Sequence, residues 1–214
     1  MVEVCIMGKA EENKRNKRLS LLNTGMELFT RQGFAKTSVS DISKKAGLAK
    51  GTFYLYFHDK YDLRDQLVAR KSSEIIREAQ KYVEQNPPED SSYEGYLLAF
   101  ADYILQYLSE NRSLLRFITK NLSWGLFQHE IRDPSEGAIF KEIYESFVEE
   151  FRKSGNSTEN LELLLFTIIE LISSTATNCI LYSTPVSLDE YLPYLHRAIH
   201  YLIAGFTSEG GEAQ

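Results

Sequence analysis

The sequence predicts an all-α chain of about nine helices. Three observations lead there. Apolar residues recur at three- and four-residue steps through every long segment, no segment alternates apolar and polar residues as a half-buried strand does, and clusters of Gly, Pro, Asn and Ser cut the chain at helix-length intervals.

Residues 1–14 lack a periodic pattern and are expected to form a flexible tail. From Lys14 to Gln32 the residues Leu19, Leu22, Met26 and Phe29 keep helical spacing, and Gly33 ends the helix with a left-handed cap. Ser38 followed three places later by Asp41 resembles a capping box, which starts a very short helix through Ile42 to Ala46 that Gly47 stops. A third short helix is expected over Lys50–Phe57. After Asp59-Lys60, a long helix from about Tyr61 to Gln85 turns Leu63, Leu67, Ile75, Ala79 and Val83 inward, and Pro87-Pro88 breaks it. Further helices are expected at about Ser92–Glu110, Ser113–Phe127, Ser135–Lys153, Thr158–Ser183 and Leu188–Phe206. The small, polar residues 208–214 read as a second flexible tail.

The 214-residue chain has ordinary hydrophobic content and a formal net charge of -6. It can bury a full core, and it is not a general polyanion binder. The average hides an asymmetry. Residues 1–60 carry 11 Lys/Arg against 6 Asp/Glu, leaving 13 against 24 in the remainder, so any attraction for a phosphate backbone is confined to the N-terminal end. Cys5 and Cys179 are too few and too distant in sequence for a disulfide framework or a thiolate metal site. There is no uninterrupted apolar run long enough to cross a bilayer, and Met1 to Lys9 lacks the order of a signal peptide. A cytoplasmic protein is expected.

Two short helices joined through Ala46-Gly47-Leu48-Ala49 and packed on a longer first helix make a helix-turn-helix over residues 38–57. Ile42, Ala46, Leu48, Phe53 and Phe57 would form its small core with Leu22 and Phe29. Lys50, Thr52, Leu55 and Tyr56 then point outward, toward a major groove and its phosphate walls. Phe29, Gly33-Phe34, Thr37-Ser38-Val39, Asp41-Ile42, Ala46-Gly47, Lys50-Gly51-Thr52-Phe53-Tyr54, Tyr56-Phe57, Lys60 and Leu63 together resemble the DNA-binding signature of the TetR/AcrR (tetracycline-repressor-type) transcriptional regulators. The resemblance covers about residues 15–75. It implies a DNA-binding domain over 15–75 and an effector-binding and dimerisation domain over 76–207. It also implies that Lys50, Tyr54 and Lys60 hold phosphates, that Thr37 and Ser38 contact the backbone near the second helix, and that Gly51 permits close approach. Thr52, Leu55 and Tyr56 are then the residues that read base edges, Leu55 through a thymine methyl. Ala49 departs from the usual Ser or Thr cap of the recognition helix, where Ala costs about 1 kcal/mol.

The same resemblance implies an effector pocket in the later helices and a homodimer. Phe100, Tyr103, Tyr107, Phe117, Trp124, Phe127, Tyr144, Phe147 and Phe166 are candidates for an aromatic lining, which would favour a bulky apolar or aromatic ligand; helical spacing alone also fits ordinary core. Glu170 and Asn178 interrupt an otherwise apolar helix, so Glu170 needs a partner: a cationic ligand, or an Arg or Lys across the dimer. Arg112, Arg116 and Lys120 form a basic stripe that would suit an anionic ligand or simply water. The apolar face through Leu161, Leu165 and Ile172, with the stripe Leu188, Leu192, Leu195, Ile199, Leu202 and Phe206, is expected to meet a second copy of the chain.

His196 and His200 are four apart with no acidic or Cys neighbour in sequence, so no metal is expected. No phosphate-binding glycine loop, nucleophile elbow or Cys-His pairing is legible, so neither a cofactor nor an enzyme is expected. The expected function is repression by a dimer on a palindromic operator, released by a small effector. The alternatives are control by a protein partner or DNA occupancy, which a closed and fully packed interior would favour, and more remotely an enzyme.

Overall fold

The computed structural model describes residues 8–118, 138–155 and 159–207, with the side chains of 138–141 and 143 left aside. Among these residues there are nine helices and no strand. The chain divides into two compact units, one through Val68 and one from Ala69 onward, with the division inside a continuous helix and N-terminal to the boundary expected at residue 75.

In the first unit, α1 spans Lys9–Gln32, α2 Val39–Lys45 and α3 Lys50–Phe53, and α4 (Lys60–Gln85) begins there. α1 starts ahead of the expected Lys14. Its first turn holds Ala10 and the acidic Glu11 and Glu12, which favour a helix N-terminus but bury nothing, so an apolar period cannot reveal it. Gly33 ends α1 with φ 87° and ψ 153°, a backbone region open to glycine yet not the left-handed helical cap expected. Its N–H donates to the Phe29 carbonyl at 3.1 Å. Ser38 caps α2 by the full reciprocal box: its Oγ accepts from Asp41 N–H at 3.1 Å while the Asp41 carboxylate accepts from Ser38 N–H at 2.9 Å. Gly47, at φ 70°, makes the turn.

α3 is shorter than the expected Lys50–Phe57. After Phe53 the chain tightens into three-residue steps, Leu55 N–H to Thr52 O at 3.2 Å and Tyr56 N–H to Phe53 O at 3.0 Å, and the turn brings the Phe57 ring to 5.5 Å from Phe53. Both phenylalanines are buried with Leu21, Leu22, Phe29, Ile42 and Leu63. Ala46 and Leu48, expected in this core, are half-exposed at its edge. A Cβ on Gly25 would stand 2.8 Å from Leu63 Cδ2, so glycine lets α1 and α4 approach closely.

The second unit contains the rest of α4, then α5 (Tyr93–Glu110), α6 (Arg112–Ile118), α7 (Ala138–Lys153), α8 (Leu161–Tyr182) and α9 (Leu188–Thr207). Ser92 caps α5 by accepting from Gly95 N–H at 3.1 Å, and Ser187 and Glu190 form a second capping box at the start of α9. α8 packs against α5, α6 and α9, and α5 also meets α7 and α9. By length and composition α8 would also suffice to cross a membrane, contrary to the expectation from uninterrupted apolar runs. Its buried side, Leu161, Leu164, Leu165, Ile168, Ala176 and Ile180, serves the protein core instead.

Candidate nucleic-acid interface and effector cavity

α3 and the turn after it present one outward face in the first unit. Lys50 and Gly51 are exposed, Tyr54 is 52% exposed and Leu55 77% exposed, while Thr52 and Tyr56 are half-buried beside them. Their direction follows from the core: Phe53 and Phe57 are drawn inward, so the residues between and before them face out. A Cβ on Gly51 would meet nothing within 4 Å, and its φ is not in the positive range. The fold therefore gives no reason for glycine there, although glycine costs roughly 0.5–1 kcal/mol in a helix. Ala49, the N-cap of α3, makes no side-chain capping bond, as its chemistry requires.

Two of the residues expected to touch phosphate are used differently. Thr37 is buried, and its hydroxyl donates to the Gly33 carbonyl at 2.9 Å and accepts from Gln32 Nε2 at 3.2 Å. That side chain closes the turn between α1 and α2 and has no path to the surface. Lys60 Nζ donates to the carbonyls of Phe34 and Thr37 at 3.1 and 3.0 Å and lies 4.4 Å from the centre of the Phe34 ring. It braces the same turn, with one of its three donors left for other use. Ser38 is exposed, but its hydroxyl is occupied with Asp41 at 2.6 Å. The Ser38 hydroxyl, followed by its N–H, holds the Asp41 carboxyl below the usual range. His58 was not legible as a surface residue. It follows Phe57 with its side chain 90% exposed, and its Nδ1 lies 3.3 Å from the Asp59 carboxylate.

The second unit contains a partly open cavity of about 180 Å³. Its walls come from α4 (Ser72, Ile75, Ile76), α5 (Leu97, Phe100, Ala101, Ile104, Leu105, Leu108), α6 (Leu115, Ile118), α7 (Tyr144, Phe147) and α8 (Leu165, Ile168, Ile169, Ile172, Ser173, Ala176, Thr177, Ile180). Of the aromatic candidates among the described residues, Phe100, Tyr144 and Phe147 line it, and the Phe100 and Phe147 rings meet edge-on at 5.4 Å. Tyr103 instead stacks on Tyr82 at 4.8 Å, and Tyr107, Phe117 and Phe166 also lie off the cavity wall. Trp124, Phe127 and Lys120 fall outside the described residues. Glu170 is half-buried, already engaged within the chain, and absent from the lining; Asn178 is exposed and donates to the Ser174 carbonyl at 3.0 Å. Arg112 and Arg116 are exposed and do not line the cavity. The lining is mainly aliphatic, and a search for aromatics passes over it. Its signal in the sequence is the period Leu97, Ala101, Ile104, Leu108 on α5 and Ile168, Ile172, Ala176, Ile180 on α8.

The residues expected at a dimer interface are largely interior. Leu161, Leu165, Leu188, Leu195 and Ile199 are buried within the single chain, Ile172 lines the cavity, and Leu192, Leu202 and Phe206 are half-buried. The stripe faces the chain's own helices, because α9 packs on α8 and α5 and its apolar side is consumed there. What α8 and α9 expose is a different set: Leu163, Phe166 and Tyr182, with Tyr194 and Tyr201. The histidine pair also differs from expectation. α5 brings Asp102 to 2.7 Å from His196 Nε2 and Glu94 to 3.0 Å from His200 Nδ1, partners remote in sequence. These are two separate pairs, and among the described residues no three His, Cys, Asp or Glu side chains gather to hold a metal ion.

A helix-turn-helix unit with an exposed second short helix, followed by an all-helical unit around an apolar cavity, defines the architecture of a helical regulator. Residues 21–67, which hold the helix-turn-helix, match the family described as bacterial regulatory proteins, tetR family. The chain is 31% identical over 74 residues to the fatty acid metabolism regulator protein of Bacillus subtilis, covering 35% of this chain and 38% of that protein. It is 33% identical over 67 residues to the transcriptional regulator AcrR of Shigella flexneri, covering 31% of each. The matches thus span about a third of the length of these two relatives. In fold it resembles Thermus thermophilus FadR, a TetR-family transcriptional repressor solved in complex with lauroyl-CoA: TM-score 0.59, 20% identity, 92% of this chain and 98% of that one.

Proposed function

We propose that the protein is a sequence-specific DNA-binding transcriptional regulator, a cytoplasmic repressor that leaves a palindromic operator when a small, largely apolar effector binds its second unit. The observation that carries the DNA-binding half is the outward face of α3. An exposed Leu55 stands between two tyrosines, beside a glycine that the fold does not need, in the more basic part of the chain. Lys50 and Tyr54 hold phosphate, and Thr52, Leu55 and Tyr56 read base edges. Lys60 and Thr37 act indirectly by holding the turn ahead of α2, and Ser38 by capping that helix.

The test is fluorescence anisotropy on DNA selected from a random pool by the wild-type protein, at fixed salt. Leu55→Ala and Lys50→Ala should both fold normally, since neither residue is buried. Leu55→Ala should narrow the affinity gap between selected and scrambled DNA, whereas Lys50→Ala should weaken binding to both and reduce the salt slope. Unchanged binding by both variants would remove α3 from the interface.

The effector half rests on the cavity. A fully packed interior would favour control by a protein partner; an apolar space of about 180 Å³ bounded by α4 to α8 favours a small molecule. The complex of the Thermus thermophilus relative with lauroyl-CoA supports the same class of control. An effector acts only by binding the DNA-incompetent state more tightly, and a hundredfold loss of operator affinity requires about 2.7 kcal/mol of coupling. Two copies associate through the exposed side of α8 and α9, where Leu163 and Phe166 accompany Tyr194 and Tyr201 and the Arg197 guanidinium lies 5.6 Å from the centre of the Tyr194 ring. Light scattering should give a dimer for the wild type and a monomer for the double variant Leu163→Glu, Tyr201→Glu; a dimer in both places the interface elsewhere.

A further inference from the structure

The cavity wall carries one group that the apolar reading of the effector does not explain. Ser72, on α4, is only 2% exposed and lines the cavity, and its hydroxyl makes no hydrogen bond among the described residues. A serine inside a helix normally satisfies itself by donating to the carbonyl four residues back. Its neighbour Ser73 does so, to Ala69 at 2.9 Å, and Thr30, Thr167, Thr175 and Thr207 behave alike. Burying a hydroxyl without a partner opposes folding, so an unmet hydroxyl on a residue of the cavity wall calls for an external partner, which has to turn the covered oxygen toward the space. A water is a poor candidate, because the surrounding wall is almost wholly apolar and gives it little else to bond.

We infer that Ser72 is the polar anchor of the effector site, and that the effector is an uncharged molecule with a compact apolar body and one oxygen that hydrogen-bonds the Ser72 hydroxyl. The inference rests on the effector reading above and narrows it. The space is slightly larger than the roughly 150 Å³ apolar cavity that accepts a benzene, so it has room for a single ring or a short chain. Phe100 and Phe147 offer ring edges and faces to it, and Ile75, Ile168 and Ile172 supply aliphatic surface. No Lys or Arg is among the described lining residues, so a carboxylate placed there would be desolvated without a counter-charge. The oxygen can be a hydroxyl or a carbonyl, since a serine hydroxyl both donates and accepts.

The test uses the full-length protein and three probes of one shape, p-cresol, 4-methylbenzaldehyde and p-xylene, with p-toluate as the charged control, each titrated calorimetrically. Ser72→Ala should lower the affinity of an oxygen-bearing probe relative to p-xylene by about three- to tenfold, the worth of one neutral hydrogen bond. A fall for p-cresol alone assigns a hydroxyl effector, for the aldehyde alone a carbonyl one, and for both an oxygen of either kind. Ratios that do not move while the probes bind would overturn the role of Ser72 and leave the cavity as an effector site. Preferential binding of p-toluate would overturn the uncharged class. Binding of none of the four would overturn the effector reading together with its anchor. An independent readout needs no ligand: Ser72→Ala should raise the melting temperature by about 2–4 °C more than Ser73→Ala, which makes the same change of helix propensity but breaks a bond that exists. A smaller rise than Ser73→Ala would mean that the Ser72 hydroxyl is already satisfied.

Discussion

Gly51→Ala separates what the fold needs from what DNA needs. Alanine is favoured over glycine inside a helix by up to about 1 kcal/mol, and in a helix as short as α3 about half of that is a reasonable expectation. The added Cβ meets no atom within 4 Å and the backbone is not in a glycine-only region, so nothing offsets the gain. The variant should be more stable by about 0.5 kcal/mol, raising the melting temperature by about 1–2 °C. Its operator affinity should fall at least tenfold, about 1.4 kcal/mol, because in the proposed interface the same Cβ stands against the sugar-phosphate backbone. Gly25→Ala is the control with the opposite reason for glycine. There the Cβ would sit 2.8 Å from Leu63 Cδ2, and both Leu63 and Leu67 are buried. Overpacking of about 1–3 kcal/mol should outweigh the helix gain, so this variant loses stability. Urea denaturation and fluorescence anisotropy on selected DNA give both quantities for both variants. A Gly51→Ala protein that is stabilised and binds DNA as the wild type does would refute the placement of Gly51 at the interface; one that is destabilised would refute the open environment of its Cβ.

Ser38→Ala should cost about 1 kcal/mol of stability at neutral pH by uncapping α2, read from urea denaturation. Because the folded Asp41 carboxyl titrates below its unfolded value, its contribution is present above the ordinary aspartate range and lost as the pH falls through the folded value, so the gap between wild type and Ser38→Ala should narrow at acid pH. A gap that stays constant from neutral to acid pH would mean that the Ser38–Asp41 bond contributes nothing. Ala49→Ser should stabilise by about 0.5–1 kcal/mol, since Ala49 already has the extended backbone of an N-cap at φ -66° and ψ 146°; an unchanged melting temperature would contradict it. Gly95→Ala should be strongly destabilising, by more than about 2 kcal/mol, because its Cβ would fall 2.0 Å from the Asp90 carbonyl oxygen; native stability would show that the Asp90–Ser92 turn can move aside.

The helix-turn-helix was legible because its signals are local. The capping pair Ser38 and Asp41, the turn glycine Gly47 and the inward Phe53 and Phe57 all lie within one stretch of twenty residues, and short-range chemistry decides each of them. The roles of Thr37 and Lys60 were not legible, because they depend on contacts across the unit. A threonine at a helix entry and a lysine at a helix start look available to phosphate in one dimension. In three, the Thr37 hydroxyl is turned back on Gly33, and Lys60 reaches 23 and 26 residues back to the carbonyls of Thr37 and Phe34. His196 and His200 repeat the lesson: their carboxylate partners lie 94 and 106 residues away, where no spacing rule looks.

The interface shows where an amphipathic period stops being informative. A period gives the direction of an apolar stripe, not the identity of what covers it. Leu188, Leu195 and Ile199 form a clean stripe, and at the end of a chain such a stripe invites a second copy; α8 and α5 reach it first. Once that side is filled, the proposed association uses what remains, and what remains is chiefly aromatic. Tyr194 and Tyr201 lie seven apart on α9, near two turns of helix, so they share one face, and Leu163 and Phe166 are three apart on α8. Tyrosine is suited to such a surface, because its ring gains from burial while its hydroxyl keeps a partner in water until then. The stripe and the proposed interface are therefore different sides of the same two helices. Substituting Ile199 should unfold the second unit, and substituting Tyr201 should only separate the copies.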